Sequence, residues 1–404
     1  MSRTSPAFSV IYSLTSDSPR AVVQPPSPDF DLVIRAGRVV CPSSGIDGPG
    51  YVTVRGGRIV AVEQASIAKV APASGTRSFD FPDGILLPGL IDLHAHPANS
   101  GSVFGVPPDD QMVPYGTTTV LSQGDAGASN IGRYIEETIV PSRTRVLLAI
   151  NLSRIGESAS HGCFENLEDV DVDACVAAID RYRELIPAVA INVSDRACGN
   201  SDPREVLRRG IEVAEQTGLP ILFGMRRPED WSLEQQLELL RPGDVVTYCF
   251  RSQPHCIVQD GHVLSCIYAA RHRGILFDVG HGTSAFCFEV ARLAIEEGFL
   301  PDTISTDLQR FHLDQAARHD LPRVMSELRA AGMPEPEVFS AVTSRPASLL
   351  QRADVGVLRV DAVADLTVLQ ARHSAPFGNV AGRPSAGLLW ISALVVREGR
   401  VVAR

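Results

Sequence analysis

Residues 87–97 read LPGLIDLHAHP, and this stretch decides the fold. Its apolar run is typical of a buried strand, and the run ends on two histidines, His94 and His96, with one residue between them. In a strand, the side chains of residues i and i+2 point to the same side. We therefore expect the two imidazoles to lie together at the end of a strand, where they can bind one metal ion.

Seven further apolar runs follow this strand, and helical patterns lie between most of them. The eight predicted strands are 89–96, 117–124, 145–153, 188–194, 220–225, 244–250, 274–280 and 302–307. Near-continuous apolar strands that alternate with helices indicate a parallel sheet covered on both faces. Eight such repeats predict an α/β fold, a distorted (β/α)8 TIM barrel over residues 87–354. A doubly wound sheet is the alternative, and it is less favoured because no GxGxxG motif follows the first strand.

Short alternating strands occur both before and after the predicted barrel. They lie within residues 30–86 and 355–404, and Gly56-Gly57 marks a hairpin turn in the first set. Two such sets on either side of a barrel predict one small β-sandwich domain that both chain ends build. Residues 1–29 contain repeated Ser and Pro and predict a flexible N-terminal tail.

The composition of the 404 residues narrows the class of protein. A hydrophobic content of 44% and a charged content of 21% predict a globular protein with a sizeable core. The net charge of −10 argues against nucleic-acid and anionic membrane partners, and no apolar run reaches the roughly 18 residues of a membrane span. The eight cysteines form no CxxC pair, which predicts a reducing, cytoplasmic setting. The single lysine, Lys69, lies in the first β segment and therefore far from any barrel strand end.

The chemistry of a TIM barrel comes from side chains at the C-terminal ends of its strands. Here His94, His96 and the strand-8 residue Asp307 would combine into a three-ligand site with an open position, the composition of a catalytic zinc site. A cap on the following helix is the other reading of Asp307. Its position in the strand-8 segment favours a metal ligand, a general base, or both.

Six stretches of the chain, taken in order, resemble the amidohydrolase superfamily, and most closely its dihydroorotase-like amidohydrolase/deacetylase branch. They are GLIDLHAHP (89–97), YGTTTVLSQGDAGASN (115–130), NLSRIG (151–156), LLRPGDVVTYCF (239–250), GILFDVGHGTSAFCFEVA (274–291) and FLPDTISTDL (299–308). The resemblance implies that His94, His96 and Asp307 bind metal and that Asp307 moves the proton of the attacking water. It places His281 at a further position of the site, and it implies a homodimer.

Three of the six metal-site positions implied by the resemblance carry other residues here. The bridging lysine of strand 4 falls on Ala190, and the histidines of strands 5 and 6 fall on Gly224 and Tyr248. We therefore expect no carboxylated lysine and at most one divalent ion, with zinc as the expected metal and a metal-free site as the alternative. A thiolate bridge from Cys163 is less favoured than a loop cysteine, because Cys163 lies well beyond the end of strand 3.

Several polar side chains near the strand ends are candidates for contact with a small-molecule substrate. Arg154, Arg196 and Arg251 suit a carboxylate, because guanidinium binds that group bidentately; charges on the rim are the alternative. Tyr248 fills the place of a histidine and keeps a polar tip that can donate to substrate. His281 is a catalytic acid–base residue, a fourth metal ligand or a packing residue.

These residues predict a hydrolase that cleaves an amide, cyclic amide or ester bond of a small, carboxylate-bearing molecule. One alternative is a metal-free enzyme that uses Asp307 and His281 for isomerisation, cyclisation or elimination. Another is a pseudoenzyme that only binds a ligand. The joint presence of His94, His96, His281 and Asp307 favours an enzyme.

Overall fold

Two sheets organise the chain in the computed structural model, which describes residues 31–64, 75–226, 229–252, 257–282, 284–315, 317–374, 377 and 387–404. One sheet is parallel and forms the barrel, and the other is mostly antiparallel and comes from both chain ends. This arrangement confirms the predicted α/β class, a distorted TIM barrel with a β-sandwich domain. Lys69 and the predicted tail 1–29 lie outside the described residues.

Seven parallel strands form the barrel sheet in chain order, and we number them barrel strands 1 to 7. They are Leu90–Ala95, Thr117–Gln123, Arg145–Asn151, Ala188–Asn192, Ile221–Gly224, Val245–Thr247 and Leu276–Phe277. Barrel strands 1 and 2 are buried at every position, as expected for strands covered on both faces. The first seven predicted strands therefore exist, but the last of these are shorter than their apolar runs.

The eighth predicted strand, 302–307, is not a regular strand, and the prediction is wrong on this point. A single parallel bridge joins Thr303 to Asp278. The Asp307 amide then donates to the His94 carbonyl at 2.7 Å, and the His96 amide donates to the Leu308 carbonyl at 3.0 Å. The segment closes the barrel between strands 7 and 1, but Asp307 has a φ of 50°, which a regular strand does not allow.

Helices pack outside the barrel and connect its strands. The α-helices are Pro108–Gln111, Ile131–Tyr134, Val172–Arg181, Asp195–Cys198, Pro203–Thr217, Leu233–Glu238, Ser265–His272, Phe288–Glu296, Leu321–Ala330, Glu335–Ala341 and Ser344–Leu349. Single turns of other helix types are Pro42–Ser44, Val113–Tyr115, Ile135–Ile139 and Arg310–His312. None of the described helices has the length and apolar content needed to cross a membrane.

The local sequence explains where the longest helix begins and ends. The Asp202 carboxylate accepts the Arg204 amide at 3.0 Å, Pro203 occupies the first turn, and Gly218 ends the helix with a φ of 69°. The helical pattern at 233–244 is realised only as Leu233–Glu238. The Asp244 carboxylate accepts the Arg241 amide at 2.8 Å, which favours a turn instead of a further helical turn.

The β-domain sheet combines strands from both ends of the chain. They are Leu32–Cys41, Ile46–Arg55, Arg58–Gln64, Arg77–Pro88, Leu366–Ser374, Gly387–Arg397 and Arg400–Ala403. The Gly56-Gly57 turn has positive φ at both residues, as a two-residue hairpin requires. A buried ion pair between Arg145 of barrel strand 3 and Asp365 joins this domain to the barrel.

Candidate active site

The first and last barrel segments bring two imidazoles and one carboxylate to a single point. Nε2 of His94 lies 3.3 Å from Oδ1 of Asp307, and Nε2 of His96 lies 3.4 Å from the same oxygen. All three residues are buried, and their ligand atoms lie within 4.8 Å of one another. The alternating directions of strand side chains place the two histidines on one side, as predicted.

Hydrogen bonds behind the two imidazoles set which nitrogen faces Asp307. Nδ1 of His96 lies 3.0 Å from the Asp125 carboxylate and donates to it. Nδ1 of His94 lies 2.8 Å from Oγ1 of Thr247, and this hydroxyl donates to Asp278 at 2.9 Å, so it accepts from His94. With Nδ1 held by these acceptors, Nε2 is in each ring the nitrogen that faces the Asp307 oxygen and that would bind an ion.

The charges around this cluster favour a cation among the three residues. Burial disfavours a charge on Asp307, but the His94 and His96 imidazoles outweigh it and hold the pKa of Asp307 well below its usual range. Burial lowers the pKa of His96, but the negative charges of Asp125 and Asp307 outweigh burial and raise this pKa to about 10. Two imidazole nitrogens and a carboxylate oxygen that converge in this way fit a divalent metal ion, and carboxylate partners behind histidine ligands are typical of metal sites.

Two glycines make room for the backbone that carries the site. Asp307 and Tyr248 both have positive φ, 50° and 65°, a conformation that is uncommon without glycine and that concentrates at functional sites. A Cβ on Gly280 would lie 2.3 Å from Oγ1 of Thr247, and one on Gly282 would lie 2.7 Å from Oδ2 of Asp307. The close approach of the segment after strand 7 to Thr247 and Asp307 therefore requires glycine.

Tyr248 reaches the cluster from the end of barrel strand 6. Its hydroxyl lies 3.3 Å from Nε2 of His94, and burial raises its pKa well above the ordinary value, so the phenol stays neutral and can donate. The guanidinium of Arg251 lies 4.1 Å from the centre of the Tyr248 ring. Among the described residues, no carboxylate forms an ion pair with Arg251.

A cavity of about 520 Å³ opens over the cluster, within the size range of small-molecule sites. His96 and Asp307 form part of its wall, and Ala190 from strand 4 also lines it, so the position of the absent lysine is open space. Glu157, Arg196, Tyr248, Arg251 and Gln309 also line it.

The two remaining predicted arginines differ in position: one lines the cavity and the other does not. Arg196 lines the cavity with its guanidinium 4.7 Å from the Phe104 ring. Arg154 instead forms an ion pair with Asp169 at 2.8 Å, its side chain is 48% exposed, and it is not among the described residues that line the cavity.

His281 is also set apart from the cluster. Its Nε2 lies 2.7 Å from the Glu327 carboxylate and its Nδ1 lies 2.9 Å from the Gly282 carbonyl. Its ring stacks on Phe286 with centroids 4.3 Å apart. Both ring nitrogens therefore already face oxygen acceptors, and the described residues that line the cavity do not include His281.

Two kinds of site residue escape the sequence patterns. Asp278 and Thr247 act behind His94, and nothing local marks a contact between strands that are distant in sequence. Glu157 lines the cavity from the loop after strand 3, where the stretch NLSRIGES signals no special role. Cys163 is a buried loop cysteine, which is the alternative that the sequence favours over a thiolate bridge, and its Sγ lies 3.5 Å from Oε1 of Glu157.

The chain is similar to proteins of known name over most of its length, although no family model matches it. It is 32% identical over 315 residues to a deacetylase from Agrobacterium fabrum, which covers 77% of this chain and 76% of that protein. Among solved structures, an adenine deaminase matches with a TM-score of 0.81 at 25% identity, covering 92% of this chain and 99% of the other. A dihydroorotase matches with a TM-score of 0.80 at 28% identity, covering 92% of this chain and 98% of the other.

Proposed function

The chain is a hydrolase that belongs to the dihydroorotase-like amidohydrolase/deacetylase branch of the amidohydrolase superfamily, and we propose that it hydrolyses one bond of a small carboxylate-bearing molecule with at most one metal ion. The scissile bond is an amide, a cyclic amide or an ester. The observation that carries the proposal is the convergence of two Nε2 atoms on one buried Asp307 oxygen. Relatives named deacetylase and dihydroorotase support this bond type.

His94, His96 and Asp307 are the residues that would hold the ion. The donor set of two imidazoles and a carboxylate suits zinc and leaves a coordination position open. A divalent ion there would supply Lewis-acid activation of water and of the carbonyl group. Ala190 and Gly224 offer no side-chain ligand at two of the three altered positions, and Tyr248 replaces the histidine at the third, which supports a single ion.

Asp307 is the general base of the proposed reaction. Its Oδ1 lies 3.3 Å from Nε2 of His94 and 3.4 Å from Nε2 of His96, so a water molecule activated at this cluster would lie within reach of the carboxylate. Gln309 donates to its Oδ1 at 2.7 Å and restricts its orientation. The proton moves to Asp307 while the water oxygen bonds to the carbonyl carbon.

Tyr248 and Arg251 line the cavity beside the cluster and are the proposed contacts for the carbonyl oxygen and the carboxylate of the substrate. The neutral Tyr248 hydroxyl lies beside the cluster and is placed to donate to the carbonyl oxygen as negative charge develops on it. Arg251 lines the cavity as a guanidinium without a carboxylate partner among the described residues, which supports binding of a substrate carboxylate. Arg196 adds a second cation at the exposed side of the cavity.

The metal-free alternative receives less support than hydrolysis. It requires His281 to exchange protons with substrate, whereas both nitrogens of His281 already bond to Glu327 and the Gly282 carbonyl. A pseudoenzyme would not need the strained backbone at Asp307 or an ionised base at its centre.

The proposed location of the enzyme is the cytoplasm. The free cysteines of the described chain suit a reducing compartment.

A substrate screen with two arginine variants tests this proposal. Zinc-loaded protein is assayed against small N-acetyl and O-acetyl carboxylic acids, cyclic amides, and the methyl esters of the same acids. We expect Arg251→Gln to raise KM for the acids and to leave KM for the methyl esters almost unchanged. Arg154→Gln is the control, because Arg154 pairs with Asp169 away from the cavity and should leave both unchanged. Failure of the whole panel, or equal effects on acids and esters, contradicts the proposal.

A further inference from the structure

The two oxygens of the Asp307 carboxylate have different surroundings. Oδ1 lies 3.3 Å from Nε2 of His94 and 3.4 Å from Nε2 of His96. The same Oδ1 accepts a hydrogen bond from Nε2 of Gln309 at 2.7 Å. Within the described chain, no hydrogen bond reaches Oδ2. One oxygen is therefore committed to the cluster, and the other is left for further contacts.

Gly282 keeps the side of Oδ2 uncrowded. A Cβ at this position would lie 2.7 Å from Oδ2, which is closer than nonbonded atoms pack. The backbone is held in this place, because the Gly282 amide donates to the Thr306 carbonyl at 2.9 Å. Glycine also suits the positive φ of 52°. It therefore leaves Oδ2 without a side chain pressed against it, in a residue that lines the cavity.

Gln309 is itself held in one orientation. Its backbone amide donates to Nδ1 of His312 at 2.9 Å, and its side-chain oxygen accepts the His312 amide, which is a reciprocal capping arrangement. The preceding carbonyl, that of Leu308, accepts the His96 amide at 3.0 Å. Because a backbone donor occupies the oxygen of the Gln309 carboxamide, the Nε2 end is the one that faces Asp307.

The bond from Gln309 decides which way the Asp307 carboxylate faces. The two oxygens of an aspartate are chemically equal, and rotation about its last side-chain bond meets only a broad, shallow preference. Either oxygen, or both together, could therefore turn toward His94 and His96. The fixed donor on Oδ1 opposes this rotation, because any turn breaks a short hydrogen bond from a buried group.

We infer that Gln309 is a positioning residue that keeps Oδ1 of Asp307 toward the ion and leaves Oδ2 to take the proton of the attacking water. This inference rests on the proposed function and gives each oxygen one task. The water oxygen bonds to the carbonyl carbon, and its proton passes to Oδ2. When the bond to the leaving group breaks, the departing atom keeps the electron pair and takes this proton from Oδ2. Asp307 is then restored.

Two other roles for Gln309 give different kinetic results. A residue that only packs affects stability and not the rate of the reaction. A residue that binds substrate from the cavity wall affects KM, since Gln309 also lines the cavity. A positioning residue lowers kcat and leaves KM unchanged, because it acts on the base and not on the substrate.

The test compares Gln309→Met with the parent protein on the best substrate of the acid panel. Methionine keeps the length and the burial of the side chain and removes the donor. We expect kcat to fall by about 10- to 100-fold, the usual effect of losing a partner behind a metal ligand, with KM almost unchanged. Zinc affinity should not fall, because His94, His96 and Asp307 all remain.

Cobalt(II) in place of zinc gives a readout without turnover, since its visible absorption depends on the number and arrangement of its ligands. We expect Gln309→Met to change the intensity of this absorption, because both Asp307 oxygens become free to approach the ion. Gln236→Met is the matched control. Gln236 is also buried and donates to the Trp231 carbonyl at 2.7 Å, but it is not among the described residues that line the cavity. It should lower stability and leave kcat and the cobalt spectrum unchanged.

His312→Leu gives a second test, which also decides the matter if Gln309→Met does not fold. It removes the acceptor of the Gln309 amide and should lower kcat in the same direction by a smaller factor. Unchanged kcat, a change confined to KM, or an unchanged cobalt spectrum overturns the inference while hydrolysis itself stands. If the parent protein hydrolyses no compound of the panel, the proposed function is overturned, and the cobalt spectra still decide whether Gln309 holds Asp307.

Discussion

Replacing Thr247 with valine should weaken metal binding without changing any residue that touches the ion. The Thr247 hydroxyl accepts from Nδ1 of His94 at 2.8 Å and donates to Asp278 at 2.9 Å. Valine keeps the shape of the side chain but removes both bonds, so the His94 N–H is left buried without its acceptor. An unsatisfied buried donor costs about 1–3 kcal/mol.

The expected size of the effect on the metal follows from the same contact. Partners behind a metal-binding histidine typically change metal affinity by about 10- to 100-fold, because they set its tautomer and orientation. We expect Thr247→Val to lower zinc affinity by this factor and the free energy of unfolding by about 1–3 kcal/mol. Zinc affinity is measured by titration against a chromogenic chelator, and stability by urea unfolding.

Thr303→Val is the matched control for this experiment. Its hydroxyl also donates to Asp278, at 2.7 Å, but it makes no hydrogen bond to His94. It should lower stability by a similar amount and leave zinc affinity nearly unchanged. The reasoning is refuted if Thr247→Val binds zinc as tightly as the parent protein, or if both variants lose affinity equally.

Three further predictions concern the base, a glycine and a buried histidine. Asp307→Asn should lower kcat by at least about 10²-fold through loss of the general base, and zinc content per chain, measured together with kcat, should fall as well. Gly280→Ala should lower the melting temperature and the activity, because the new Cβ would lie 2.3 Å from Oγ1 of Thr247 and the residue has a positive φ. An unchanged melting temperature in calorimetry would contradict the claim that position 280 requires glycine. Burial lowers the pKa of His319 from 6.5 to about 3, so folding favours its neutral form; this contribution to stability is fully present above pH 6.5 and is lost as the pH falls toward 3. Urea unfolding between pH 7 and pH 4 should therefore show a steeper loss for the parent than for His319→Gln, by up to about 1.4 kcal/mol per pH unit, and parallel curves would contradict this.

The parts of the fold that were predictable are those with a local signal. The apolar run ending in His94 and His96 predicts a buried strand, and Gly56-Gly57 predicts a two-residue hairpin; both are present. The 302–307 segment was predicted as a strand from similar local features. Its actual conformation depends on the positive φ of Asp307 and on contacts with strands 1 and 7, which no local pattern encodes.

The candidate site also contains some residues that the sequence predicts and others that it does not. Asp307 lies at the end of a recognisable segment, and the structure brings it to His94 and His96 as expected. Arg154 has the same local appearance as Arg196, but a surface partner, Asp169, holds it away from the cavity. The places of Thr247 and Glu157 at the site depend on which loops and strands meet in space, so composition and spacing do not reveal them.

The number of metal ions per chain tests the central claim most directly. Protein purified without chelators is analysed by inductively coupled plasma mass spectrometry, alongside His96→Ala prepared in the same way. The account predicts at most one equivalent of a divalent ion in the active parent protein, most of it absent from His96→Ala. Two equivalents bound at full activity, or undiminished hydrolysis with no bound metal, would contradict a single ion held by His94, His96 and Asp307.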